Sequence, residues 1–245
     1  MLNVTNGLLR ICDRKLLPHS PEHLSPIQLL VKFEPHAKCP QTDNFVAEVF
    51  PKDAQSLAWE ITAWLMCPNT SIQKGILLVG DGGNGKSRWL AQQRTFLGKN
   101  NTSGISLHKL ESDRFAPSRL IGKLANICPD LPSNHLSGTS TFKAITGGDT
   151  ITAEYKLKDS FDFVPYARLV FSANHLPRSE DASKAFFDRW LVVPFDRTFR
   201  GTAHEIPSAE LDARLSDPAE LSGLLNRALD VLPNGLSQPP SVQAA

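Results

Sequence analysis

The sequence predicts an α/β fold: a mostly parallel central sheet flanked by helices, with a β-hairpin insert and a small helical C-terminal region. Three observations predict it. An apolar run, Ile76-Leu77-Leu78-Val79, passes through a glycine-rich octet into a helix-forming stretch. Further strand-like runs follow, with helical stretches between several of them, the order expected of a parallel sheet with helices on both faces. Leucines then recur at helical spacing between Leu211 and Leu232.

Composition bounds the rest. The chain has 245 residues, enough for one large or two modest domains, and 41% of them are apolar, which marks a globular protein. Net charge is +1, which argues against a broad basic surface that coats nucleic acid. A few lysines per subunit, multiplied around a ring, remain compatible with it. Cys12, Cys39, Cys67 and Cys128 are widely separated, with no secretory signal ahead of them, and read as reduced thiols of a cytoplasmic protein. His19 and His23 flank Pro21, which disfavours the helix that would align them on a metal. No apolar run approaches the length of a membrane span.

Taken in order, residues 1–52 form a loop-rich leader punctuated by Pro18, Pro21, Pro26, Pro35, Pro40 and Pro51. Leu57, Ile61, Trp64 and Leu65 predict a helix over 52–66. Strand 75–79, the octet and a helix over 86–97 open the core, and strands are expected at 105–110, 124–128, 168–173 and 191–195. Residues 151–158 alternate, with Ile151, Ala153, Tyr155 and Leu157 on one face and Thr152, Glu154, Lys156 and Lys158 on the other. With Phe161 and Phe163 they predict a hairpin closed through Lys158-Asp159-Ser160. Residues 208–232 read as two helices, and a frayed tail is expected from Pro233. The implied divisions are an N-terminal region 1–70, a core 71–200 and a helical C-terminal region with its tail 201–245.

The octet Gly80-Asp81-Gly82-Gly83-Asn84-Gly85-Lys86-Ser87 fits G-x-x-x-x-G-K-[ST], the phosphate-binding loop. Its glycines let successive N–H groups point at phosphate oxygens, and the following helix N-terminus adds a partial positive charge. Lys86 would reach the β- and γ-phosphates and Ser87 would hold Mg²⁺, so ATP and Mg²⁺ are the expected ligands. Asp130, following strand 124–128, could hold Mg²⁺ through water or polarise the attacking water, from a strand expected to neighbour that of the phosphate loop. The plain alternative is a turn residue after Pro129. Asn174, at the tip of strand 168–173, could bond the γ-phosphate or position water, or serve as a turn residue before Pro177. Arg189, at the end of a helix expected over 181–188, stands where an arginine finger could reach a neighbouring subunit's nucleotide; an ordinary helix-end arginine is the alternative. Arg178 and Arg197 are the fallback candidates for that role. The polar, basic tip of the hairpin suits a finger that grips single-stranded nucleic acid through Lys156 and Lys158, or a solvated edge with protective lysines.

These stretches together resemble the helicase portion of phage and plasmid primase–helicases, related to the poxvirus-type nucleoside triphosphatases of helicase superfamily 3. The resemblance rests on Asn6-Gly7 through Pro21, the octet 80–87, the run from Phe142 to Lys158, residues 169–177 and residues 185–195. It implies a P-loop nucleoside triphosphatase of AAA+ type, a homo-hexameric ring, and ATP-driven 3′→5′ translocation on single-stranded DNA. By position it assigns Lys86 and Ser87 to the first nucleotide motif, Asp130 to the second, Lys156 and Lys158 to DNA contact, Asn174 to the polar sensor and Arg189 to the arginine before the final core strand. Two departures stand out. Relatives often have two arginines in succession where this chain has Asp188 before Arg189. Relatives also tend to carry a primase domain before the core and a winged-helix domain after it, and this sequence shows neither, which implies either weak DNA engagement or dependence on another protein, such as a separate primase or origin-binding protein. Two other readings compete: a catalytically weak binding or assembly module of a replication complex, and a P-loop small-molecule kinase.

Overall fold

In the computed structural model, which describes residues 1–175, 177–232 and 235–242, the chain opens with three short antiparallel strands. These are β1 (Leu2–Val4), β2 (Gly7–Arg10) and β3 (Lys15–Leu17). Helices α1 (Pro40–Val49) and α2 (Gln55–Leu65) follow. The first of these is absent from the sequence-based expectation of a loop-rich leader. Thr42, Phe45, Val46 and Val49 form its buried face, at helical spacing. Its N-cap, Cys39, makes no side-chain capping bond. Glu220 supplies the cap from the far end of the chain: its carboxylate accepts the N–H of Gln41 (3.2 Å), the N–H of Thr42 (3.0 Å) and the Thr42 hydroxyl (3.0 Å). The negative charge also meets the positive end of the helix dipole.

The core then runs β4 (Gly75–Val79), α3 (Lys86–Leu97), β5 (Thr102–Ser103), α4 (Leu107–Ser112), β6 (Ala125–Cys128), α5 (Ser140–Gly147), β7 (Ile151–Glu154), β8 (Ser160–Phe163), β9 (Arg168–Ala173), α6 (Lys184–Phe187) and β10 (Trp190–Pro194). Helices α7 (Ser208–Leu215) and α8 (Pro218–Asp230) complete the fold; Asp217 caps α8 by accepting the Ala219 N–H at 2.8 Å. Five strands form one parallel sheet in the order β10-β4-β9-β6-β5.

Both faces of the sheet are buried, and the strands divide their side chains between them by simple alternation. Ile76, Leu78, Val170, Leu191 and Val193 join one apolar cluster, which also takes in Leu9, Phe45, Trp64 and Leu225. Leu77, Leu169, Phe171, Trp190 and Val192 join a second, with Leu110, Phe142 and Phe186. The α/β class with a mostly parallel sheet, the hairpin insert and the helical C-terminal region are therefore all present.

Several local expectations need correction. Residues 105–110 are not a strand. The edge strand β5 ends at Ser103, and Ser106 opens α4 instead, its hydroxyl accepting the Lys109 N–H at 3.3 Å while Leu107 and Leu110 turn inward together. Strand β6 does not neighbour β4, because β9 lies between them. The helix expected over 181–188 shortens to α6; Asp181 is drawn away to the Thr139 hydroxyl and to Lys143 (2.8 Å). The hairpin forms, but its register pairs Glu154 with Ser160. The reversal thus occupies 155–159, with Leu157 at φ +64, and Lys156 and Lys158 lie in the turn rather than on the strand face of Thr152 and Glu154. The frayed tail expected from Pro233 falls partly outside the described residues. Where it is described it packs: the Ser237 N–H donates to Glu60 (2.7 Å), the Ser241 N–H to Asp53 (2.9 Å), and Val242 is buried.

Candidate functional site

Parallel strands bring their C-terminal ends to one edge of a sheet, and the loops leaving that edge are where ligands bind in open α/β folds. Here those loops follow β4, β6, β9 and β10. They border a cleft of about 550 Å³, closed on its other sides by α1 and by the segment leading into α7.

The glycine-rich loop forms the floor. Gly82 through Ser87 line the cleft, whereas Gly80 and Asp81 contribute through their carbonyls. Gly85 is the N-cap of α3, with φ +92 and no side chain of its own to cap the helix, and the Lys86 N–H reaches Asn84 Oδ1 only at 3.5 Å. An added Cβ there would meet Val49 Cγ1 at 2.7 Å, so α1 packs directly against the turn. Asn84 is buried and holds the loop to the chain leaving β10, its amide donating to the Phe195 carbonyl at 2.9 Å. Lys86 is only 6% exposed. Its amine donates to the Gly80 carbonyl, to the Asp81 carbonyl (3.0 Å) and to Asn84 Oδ1 (3.1 Å). Burial holds its pKa below the ordinary 10.5, partly countered by the negative charges of Asp81 and Asp130.

Asp130 and Asn174 both line the cleft. They follow adjacent strands, β6 and β9, and Asn174 follows the one next to β4. Ser172 fixes their relation: its hydroxyl donates to the Pro129 carbonyl (2.6 Å) and its carbonyl accepts the Leu131 N–H (2.8 Å). Ser87 and Asp130 are exposed on the cleft side. Among the described residues no three His, Cys, Asp or Glu side chains converge as a metal cage.

The other expected residues lie elsewhere. Arg189 precedes β10, at the opposite edge of the sheet, roughly 16 Å along that strand from the cleft edge. Its Nη1 donates to the Ala185 carbonyl (2.6 Å), and its buried Nε has no partner among the described residues. Arg178 and Arg197 are exposed and outside the cleft, the latter lying over the Phe199 ring. Lys156 and Lys158 project from the hairpin tip, beside exposed Tyr155 and Leu157.

Two walls of the cleft escaped the sequence reading. Gln41, Phe45 and Glu48 come from α1, whose buried spacing at 42, 45, 46 and 49 was the available signal. Arg200, His204 and Arg214 come from the segment after β10, where no motif marks them.

Comparison with known proteins adds relatives. Residues 1–51 match a family described as D5 N terminal like, and residues 78–189 match a family described as of unknown function, DUF5906. Over 174 residues the chain is 25% identical to "Putative helicase 121R" of Invertebrate iridescent virus 3, an alignment that covers 64% of this chain and 18% of that protein. An apo structure of the NrS-1 C-terminal region superposes with a TM-score of 0.61 at 16% identity, covering 78% of this chain and 47% of that one. A second apo structure of the region gives 0.58 at 15% identity, covering 84% and 49%. The chain thus shares the fold of the NrS-1 region while spanning about half its length, and spans under a fifth of the viral relative. No helix among the described residues is long and apolar enough to cross a membrane.

Proposed function

We propose that this chain is the motor portion of an ATP-dependent DNA helicase, a P-loop nucleoside triphosphatase of AAA+ type that serves replication of a phage, plasmid or related mobile element in the cytoplasm. One observation carries the reading: a glycine-rich loop with an anchored lysine shares its cleft with an acid and an amide from the next two strand tips. The residues fit a nucleotide and its magnesium. The open N-terminus of α3 and the Lys86 amine, now resting on loop oxygens, are donors that phosphate oxygens can take over. Ser87 and Asp130 are two oxygen donors, which suits Mg²⁺, an ion that keeps much of its water and is completed by phosphate oxygens. Bound there, Mg²⁺ would neutralise charge that develops on the phosphates. Asp130 and Asn174 then orient or polarise the attacking water.

The likeness to a viral protein named as a helicase supports a replication role. Lys156 and Lys158 at the hairpin tip supply the contact to single-stranded DNA, around a homo-hexameric ring moving 3′→5′, with a separate primase or origin-binding protein as partner. A binding or assembly module is the competing reading, because Asp130 is a single acid where two would divide the work. ATP turnover measured with and without single-stranded DNA separates them. The helicase reading expects DNA-stimulated hydrolysis that falls about 10²–10³-fold in Lys86→Ala while the fold persists. Nucleotide binding without turnover favours the module. Turnover unchanged by Lys86→Ala removes the glycine-rich loop as the catalytic site.

A further inference from the structure

Three arginines line the cleft, and they are not equivalent. Arg88 is ion-paired with Asp212, and Arg214 with Glu210. Arg200 is exposed and, among the described residues, has no carboxylate within ion-pair reach. It is nonetheless fixed in place. The Phe199 N–H donates to the Gly83 carbonyl at 2.8 Å, pinning the segment to the glycine-rich loop. The Gly201 N–H donates to Glu205 (2.7 Å) and the Thr202 hydroxyl to the Phe199 carbonyl (2.7 Å), which closes the turn around Arg200. The side chain then lies along the loop. A Cβ built on Gly83, whose φ is +78, would meet Arg200 Cβ at 2.6 Å and Nε at 3.5 Å, and one on Gly82 would lie 3.8 Å from Nη1. Gly82 and Gly83 form the limb of the loop away from the helix, whereas Lys86 and the start of α3 form the other. A free guanidinium on that outer limb has the fork geometry that matches phosphate oxygens.

We propose that Arg200 contacts the terminal phosphate of a nucleoside triphosphate bound in its own subunit, so that the cleft distinguishes triphosphate from diphosphate in cis. This rests on the nucleotide reading of the cleft and adds a residue to it. It differs in kind from Arg189, which faces away from the cleft of its own chain.

Equilibrium binding of an ATP analogue with a non-cleavable β–γ linkage and of ADP tests it, on wild type, Arg200→Ala and Arg200→Lys at dilutions where light scattering reports monomer. Arg200→Ala should weaken the analogue about 10- to 100-fold and ADP much less. Arg200→Lys should recover part of the loss, since it keeps the charge without the fork. Equal losses for both nucleotides, or no loss, overturn the inference while nucleotide binding itself stands. Wild type that binds neither nucleotide overturns the function proposed above and this inference with it. Mixing Arg200→Ala with Lys86→Ala should restore no ATP turnover, because a cis arginine cannot serve a neighbour's loop; restored turnover would move Arg200 to an interface and overturn the proposal.

Discussion

At the scale of single residues, the cleft stores charge in an unused form. Lys86 is desolvated yet bonded to three loop oxygens, so a phosphate bound as proposed would exchange one set of oxygen partners for another instead of stripping water from a free ammonium. Asp130 is the opposite case, exposed, with its backbone clamped by Ser172. Replacing its side chain therefore leaves those clamps intact, and stability should move within about 0.5 kcal/mol. Asp130→Asn keeps the shape and removes the charge that would polarise water. It should lower kcat by about 10²-fold or more while the Kd for ATP changes little. Steady-state turnover beside nucleotide binding reads both quantities. Normal hydrolysis by Asp130→Asn would reduce Asp130 to a turn residue and send the search to Glu48 or Glu205, the other acids of the cleft.

At the scale of elements, α8 caps helix α1 through Glu220, and α1 in turn forms one wall of the cleft. Glu220→Ala would leave two N–H groups at a buried helix start without an acceptor. It should cost about 2–3 kcal/mol, seen as a lower urea midpoint, and should weaken nucleotide binding through the displaced wall. An unchanged midpoint would mean that water replaces the carboxylate. The hairpin belongs to the same scale. Lys156→Ala with Lys158→Ala should weaken single-stranded DNA binding and lower the salt slope by about 0.7 per lost phosphate contact. Wild-type affinity and slope would put the DNA path elsewhere. The difference between these two elements also shows what the sequence could reveal. Strand β4, helix α3 and strand β9 follow from adjacent residues, an apolar run into glycines, the helix-forming stretch after them and a second apolar run, and their bounds are legible. The cap of α1 lies 178 residues away, so its start is invisible locally although its apolar spacing is not. Residues 105–110 carry both periods, and a single serine decides for the helix. The alternation at 151–158 looks like one strand, but pairing with Phe161 and Phe163 sets the register and ends it at Glu154. Lys86 was readable from the glycine-rich octet, and Asp130 and Asn174 because each follows a strand pattern. Arg200 was not, because only the return of the chain onto Gly83 gives it a place.

At the scale of the molecule, the sheet separates two arginines that could act on phosphate. Arg200 stands at the cleft edge and Arg189 at the other, with the length of β10 between them. Arg189 therefore cannot reach the cleft of its own chain, and a catalytic role for it requires a second copy placed against that edge. A closed ring of identical subunits repeats this contact at every interface. Arg189→Ala protein should bind ATP with near wild-type affinity yet hydrolyse it about 10³-fold more slowly, the low end of what fingers supply in related phosphate chemistry. Mixing it with Lys86→Ala protein should restore part of the activity, because some interfaces then pair an intact glycine-rich loop with an intact finger. Turnover across mixing ratios, with mass followed by light scattering, measures this. A monomeric, fully active wild type would exclude any shared site. A confirmed oligomer without rescue would move the finger to Arg178 or Arg197, which are exposed and free of the cleft. Rescue by Lys86→Ala in the Arg189 series, set beside its absence in the Arg200 series, would assign one arginine to the neighbour's phosphates and the other to its own.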